Sequence, residues 1–195
     1  MTSILKVDTI QDQSGNNIIN ENADTITIGA SGDTITIPSG ATLSNLGTAS
    51  GFGVNTPAFL AYRSTSNQSI PNQTETQCQF QTELFDTDSC YDTSTYRFTP
   101  TTAGKYFLFA MLQMTGTINA GAYFGSIRKN GASASLAEVY NSTTTSMSYS
   151  VAPHCIVEAN GSSDYFDCTI YYAGTASLRL GIEFSQFGGY KLIGV

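Results

Sequence analysis

The sequence predicts an all-β chain, with a short β-repeat followed by a sandwich or barrel of about ten strands. Three observations predict it. Strand-like runs recur from residue 57 onward with turn residues between them. No segment carries helical periodicity of useful length. Charged residues make up 12% of the 195, well under the globular norm, and Thr, Ser, Asn, Gln and Gly take their place, which suits strands and turns.

A break in composition divides the chain into residues 1–50 and 51–195. All eleven Phe and eleven Tyr lie after Gly51. The first unit holds Lys6 and the acids Asp8, Asp12, Glu21, Asp24 and Asp33, and its apolar residues are almost all Ile, Leu and Val. The stretch from Gly47 to Gly53 is small and flexible and reads as a linker.

Within the first unit, Asp24-Thr-Ile-Thr-Ile-Gly29 recurs as Asp33-Thr-Ile-Thr-Ile-Pro38, with a weaker copy starting at Gly40. Alternating Thr and Ile is the period-2 pattern of a strand with one buried face. Short copies between turn signals suggest stacked rungs. Covering Ile26, Ile28, Ile35 and Ile37 contributes about 1.5–3 kcal/mol per side chain. Ordering the segment costs about 1–2 kcal/mol for every residue, so one chain falls short. Three chains wound on a common axis would cover the Ile rows, which predicts a trimeric stem. The alternative is a hairpin lying on the main domain.

In the second unit the predicted strands are Pro57–Ser64, Gln77–Leu84, Arg97–Pro100, Gly104–Met114, Ala122–Lys129 and Ala134–Tyr140, then Ser146–Val151, His154–Glu158, Tyr165–Tyr172, Ser177–Phe184 and Gly189–Val195. Asn130-Gly131 and Asn160-Gly161 are strong turn signals, because Asn-Gly supplies the positive φ angles of tight hairpins. One strand is apolar on both faces: Tyr106, Leu108 and Ala110 point one way, Phe107, Phe109 and Met111 the other. A sandwich buries one of these faces, and a second subunit is the simplest cover for the other. The C-terminal run, with Tyr190 and Leu192 opposed to Ile193 and Val195, has the same character. The alternative is a strand deep inside a barrel.

The net charge is −7, so no basic stripe exists to displace counterions from phosphate, and nucleic acid is excluded as a partner. An anionic membrane surface would repel the chain. No apolar run approaches the ~18 residues of a bilayer span. Met1 to Gln13 lacks the charged-then-apolar layout of a signal peptide.

The order of motifs in the second unit resembles the globular head of complement C1q and the tumour necrosis factor superfamily. The residues that carry the resemblance are Ala58-Phe59-Leu60-Ala61-Tyr62, Phe80, Phe85-Asp86, Tyr91-Asp92, Arg97-Phe98-Thr99-Pro100, Ala103-Gly104-Lys105-Tyr106, Lys129-Asn130-Gly131, Phe184-Ser185, Gly188 and Tyr190-Lys191-Leu192. The resemblance implies a ten-stranded jelly roll forming a tight, non-enzymatic homotrimer. Tyr106, Phe107, Phe109, Met111 and Tyr190 are the expected trimer-interface residues. The collagen-like stalk of C1q is missing, and the Ile-Thr repeat stands in its place. The segment Ser3 to Asn17 is similar to the starts of tail-fibre and virion proteins of marine phages.

The catalytic survey is negative. His154 is the one histidine, and its neighbour Cys155 would point to the opposite face of a strand, which forbids a shared Cys-His site. Cys78, Cys90, Cys155 and Cys168 contain no C-x-x-C pair for zinc. C1q chains carry a disulfide in the region of Cys155 and Cys168, so the resemblance implies a bridge between these two, with Cys78 and Cys90 as a weaker second pair. The alternative is four buried free thiols. No cofactor is expected. Asp86, Asp88 and Asp92 could hold calcium, as some relatives do, or simply form a solvated loop. Tyr171 and Tyr172 could stack on sugars or pack in the core.

These readings predict a bacteriophage virion protein on the particle surface. It would be a trimeric short fibre whose residues 1–50 join other virion proteins and whose head contacts a host glycan or protein. The competing reading is a capsid decoration or cement protein. A cellular adhesin and a glycan-cleaving enzyme rank below both.

Overall fold

The computed structural model describes residues 9–11, 13–15, 17–22, 25–28, 31–42, 44, 46, 55–115, 121–132, 135–143 and 149–193. The linker at 47–53, the first eight residues and Val195 lie outside them. The chain divides into two compact units, Met1–Gly51 and Phe52–Val195. All regular elements among the described residues are strands.

In the first unit, β1 (Thr9–Gln11), β2 (Asn17–Asn22) and β3 (Thr25–Ile28) form an antiparallel sheet in that order. The first repeat copy is β3, which pairs Ile28 with Ile19 and Ile26 with Glu21. The second copy differs from expectation: residues 33–38 are not in a strand, so the two copies do not stack as rungs within one chain. Ile26, Ile28, Ile35 and Ile37 are all exposed, which follows from the shortage of covering surface in so small a unit.

The second unit contains β4 (Ala58–Tyr62), β5 (Gln68–Ile70), β6 (Thr76–Gln77), β7 (Thr82–Asp86), β8 (Tyr91–Asp92), β9 (Arg97–Phe98) and β10 (Gly104–Thr115). It continues with β11 (Gly121–Lys129), β12 (Ser135–Thr143), β13 (Tyr149–Val151), β14 (His154–Ala159), β15 (Phe166–Tyr172), β16 (Ala176–Leu178) and β17 (Ser185–Lys191). They build two facing sheets. One has the order β5-β16-β10-β17-β4-β7, with β13 and β14 on the free side of β10; the other runs β12-β11-β15-β9-β8, with β6 on β15. Every pairing is antiparallel.

The core between the sheets is aromatic. Phe59 stacks on Phe98 at 4.3 Å and on Tyr91 at 5.1 Å, and meets Phe187 edge-on at 5.0 Å. Phe98 in turn meets Tyr106 at 5.7 Å. These rings come from both sheets and clamp them together, with burial of each worth about 1.5–3 kcal/mol.

Asn130-Gly131 makes the tight turn its sequence predicts, with φ of 56° and 65° and Ala132 N donating to Lys129 O at 3.0 Å. Asn160-Gly161 does something else. The Asn160 side-chain oxygen accepts from the backbone N–H groups of Ser162, Ser163 and Asp164, winding a loop from β14 across to β15. Asp164 ties the two turns together by accepting from Lys129 Nζ at 2.8 Å, Asn130 Nδ2 at 2.9 Å and Asn160 N at 2.9 Å. The Lys129 and Asn130 bonds hold its carboxyl down to about 2. A depressed carboxyl stabilises the fold above its unfolded pKa, near ~4, and loses that contribution as the pH falls toward the folded value. Asp164→Asn is therefore expected to flatten the acid limb of the stability curve between about pH 4 and 2, read by urea titration, and to lower stability at neutral pH.

Candidate assembly surface

The strand β10 sorts its side chains by strict alternation. Tyr106, Leu108, Ala110, Leu112 and Met114 are buried, while Phe107, Phe109, Met111 and Gln113 lie on the outer face and are half-buried. Tyr106 thus departs from its expected interface role. It is fully buried, and its hydroxyl donates to Thr102 O, because even positions of this strand face the opposite sheet.

Cross-strand register extends the outer face into rows. Ile156, Phe107, Tyr190 and Ala58 form one row. His154, Phe109, Gly188, Leu60 and Phe85 form the next. Met111, Gln186 and Tyr62 form a third. The Phe107 ring lies 5.7 Å from Tyr190, 6.1 Å from Phe109 and 6.2 Å from His154. Ile156 is 63% exposed and Phe85 46%. An apolar face of this continuity is a liability in water unless something covers it.

Gly188 makes the face flat. A Cβ there would stand 2.6 Å from Phe109 Cζ and 2.9 Å from Leu60 Cδ1, so the two side chains close over the glycine. The expected interface residues Phe107, Phe109, Met111 and Tyr190 are together on this face. Leu60, Phe85, His154, Ile156 and Gly188 join them only through register, which no single strand of sequence reveals.

The other candidate residues do not converge on a chemical site. His154 points outward, with Nδ1 3.2 Å from Ala152 O, and Cys155 points inward. All four cysteines are free thiols, so the expected Cys155–Cys168 bridge is not formed. Cys78 instead sits directly across from Cys168, its N–H donating to Cys168 O at 2.9 Å. Burial pushes the Cys78 and Cys168 thiols well up, and Cys155 up to about 11, which makes all three poor nucleophiles. Among the described residues no group of three His, Cys, Asp or Glu side chains is placed to hold a metal. The Asp92 carboxylate is occupied by its own turn, accepting from Ser94 and Thr95. Asp86 accepts from Tyr91 N at 2.7 Å. Tyr172 is core, and Tyr171 stacks on Phe124 at 4.8 Å on the outer face of the other sheet.

No family model and no curated protein matches the sequence. Solved structures do. The globular domain of zebrafish complement 1qA protein matches with a TM-score of 0.53 at 16% identity, over 70% of this chain and 98% of its own. Murine APRIL matches at 0.53 and 13%, over 69% and 98%. The Eiger TNF of S. frugiperda matches at 0.51 and 11%, over 71% and 93%. The second unit therefore has the jelly-roll fold of the C1q and tumour necrosis factor domains, as the order of its motifs implied.

Proposed function

We propose that this protein is a non-enzymatic homotrimer on the surface of a bacteriophage particle, and that its second unit contacts the host. The observation that carries the trimer is the outer face built on Phe107, Phe109, Met111 and Tyr190, which spans β14, β10, β17 and β4. Threefold closure lets copies of one chain bury such a face without an open-ended filament. The fold supports the same reading, since the C1q and tumour necrosis factor families it resembles assemble this way. The exposed Ile26, Ile28, Ile35 and Ile37 of the first unit find partners in the same assembly. The phage assignment rests on the segment Ser3 to Asn17, similar to the starts of marine phage virion proteins.

In this reading residues 1–50 join other virion proteins. Removing residues 1–47 is expected to stop incorporation into particles, scored by immunoblot of purified virions. Free second unit, residues 52–195, is expected to slow phage adsorption in a plating assay. Incorporation that depends on residues 1–47 without any competition for adsorption would favour the second reading, a cement protein that braces the shell.

A further inference from the structure

Arg63, just past the end of β4, is turned inward between the two sheets and is 4% exposed. It stands across the ladder from Ser185, its N–H donating to Ser185 O at 3.1 Å. Its Nη1 donates to Gln79 O at 2.9 Å, and reaches the Gln81 side-chain oxygen when that amide is turned to suit both. Its Nε is fully buried and has no hydrogen-bond partner, and neither has the Ser185 hydroxyl. Among the described residues Arg63 forms no ion pair with a carboxylate. Burial pulls its pKa below the ordinary guanidinium value, and the nearest ionisable neighbours, Tyr96 and Cys78, are a neutral phenol and thiol that supply no counter-charge.

A guanidinium does not shed its proton in a protein. Burying it without a counter-charge is among the most unfavourable arrangements a core can hold. Two orphaned donors, one on each of two paired strands and both facing the interior, are the chemistry that holds a single small anion. A neutral water would satisfy the hydrogen bonds and leave the charge uncompensated.

We propose that the Nε–H of Arg63 and the hydroxyl of Ser185 bind a halide-sized anion, chloride in ordinary media, as a structural counter-ion between β4 and β17. A larger oxyanion would need more donors than these two positions supply. The site lies inside one sandwich and does not depend on the trimer.

The test uses the full chain at constant ionic strength, with sodium chloride exchanged for sodium gluconate. The melting temperature is expected to rise by roughly 5 °C from about 1 to 150 mM chloride and then level off. Bromide should substitute, and its anomalous scattering should peak within hydrogen-bond distance of Arg63 Nε and Ser185 Oγ. Arg63→Met should abolish the response. Ser185→Ala, a far smaller change, should weaken it several-fold if the larger substitution prevents folding. A melting temperature indifferent to chloride would overturn the proposal. So would a chloride response unchanged in Ser185→Ala, or a water alone at the site in bromide-grown crystals.

Discussion

Phe109→Asp is expected to abolish trimers of the isolated second unit, residues 52–195, and to leave soluble monomer with unchanged far-ultraviolet circular dichroism. The ring sits at the centre of the outer face, cross-strand from both Gly188 and His154 and 6.1 Å from Phe107. Burying a carboxylate there in three symmetric copies costs several kcal/mol per site. Because Phe109 is only half-buried within one chain, the same change leaves the core of the sandwich untouched. Met111→Asp should act in the same direction. Sedimentation velocity separates the outcomes. A Phe109→Asp head that still sediments as a trimer would remove this face from the interface.

Phe98→Ala is expected to produce the largest loss of stability, about 3–5 kcal/mol. Phe98 is fully buried and touches rings on both sheets, with Phe59 at 4.3 Å, Tyr106 at 5.7 Å and Phe166 at 6.4 Å. The neighbouring rings belong to separate strands held by their ladders, so the cavity cannot collapse easily. For a domain of this size the melting temperature should fall by roughly 10 °C or more. A fall of only a degree or two would mean that the aromatic clamp is not what joins the sheets.

The two residues separate two kinds of information in the sequence. The sequence offers Phe98 only as part of a motif order shared with Phe80, Tyr91 and Tyr106, and that these residues converge between the sheets emerges in the fold. Alternation along β10 is a local property and sets Phe107, Phe109 and Met111 on one shared face opposite Tyr106, but it does not say which face turns outward. Tyr106 was misplaced on the interface even though that alternation sets it apart from those three. Leu60, Phe85, His154 and Ile156 were not legible as part of the same face, since only long-range register sets them beside Phe107 and Phe109.

Local propensity also misjudged the end of the chain. A strand was expected over Ser177–Phe184 and another from Gly189. The structure has β16 ending at Leu178, a turn closed by Phe184 N donating to Gly181 O at 3.0 Å, and β17 running from Ser185 through both Gly188 and Gly189. A pair of glycines reads as a break. Here it is a close approach: a Cβ on Gly189 would stand 2.4 Å from Leu108 Cδ2. The short strands β5 and β8 escaped notice because two or three residues give no period to detect. The resemblance points to Cys155 as the partner of Cys168, whereas β6 brings Cys78 opposite Cys168 through contacts with no local signature.

Sedimentation equilibrium of the full chain and of residues 52–195, at micromolar concentration, tests the assembly most directly. The predicted result is three times the monomer mass for both. A second unit that is monomeric and fully folded, with Phe107 and Tyr190 left in water, would contradict it.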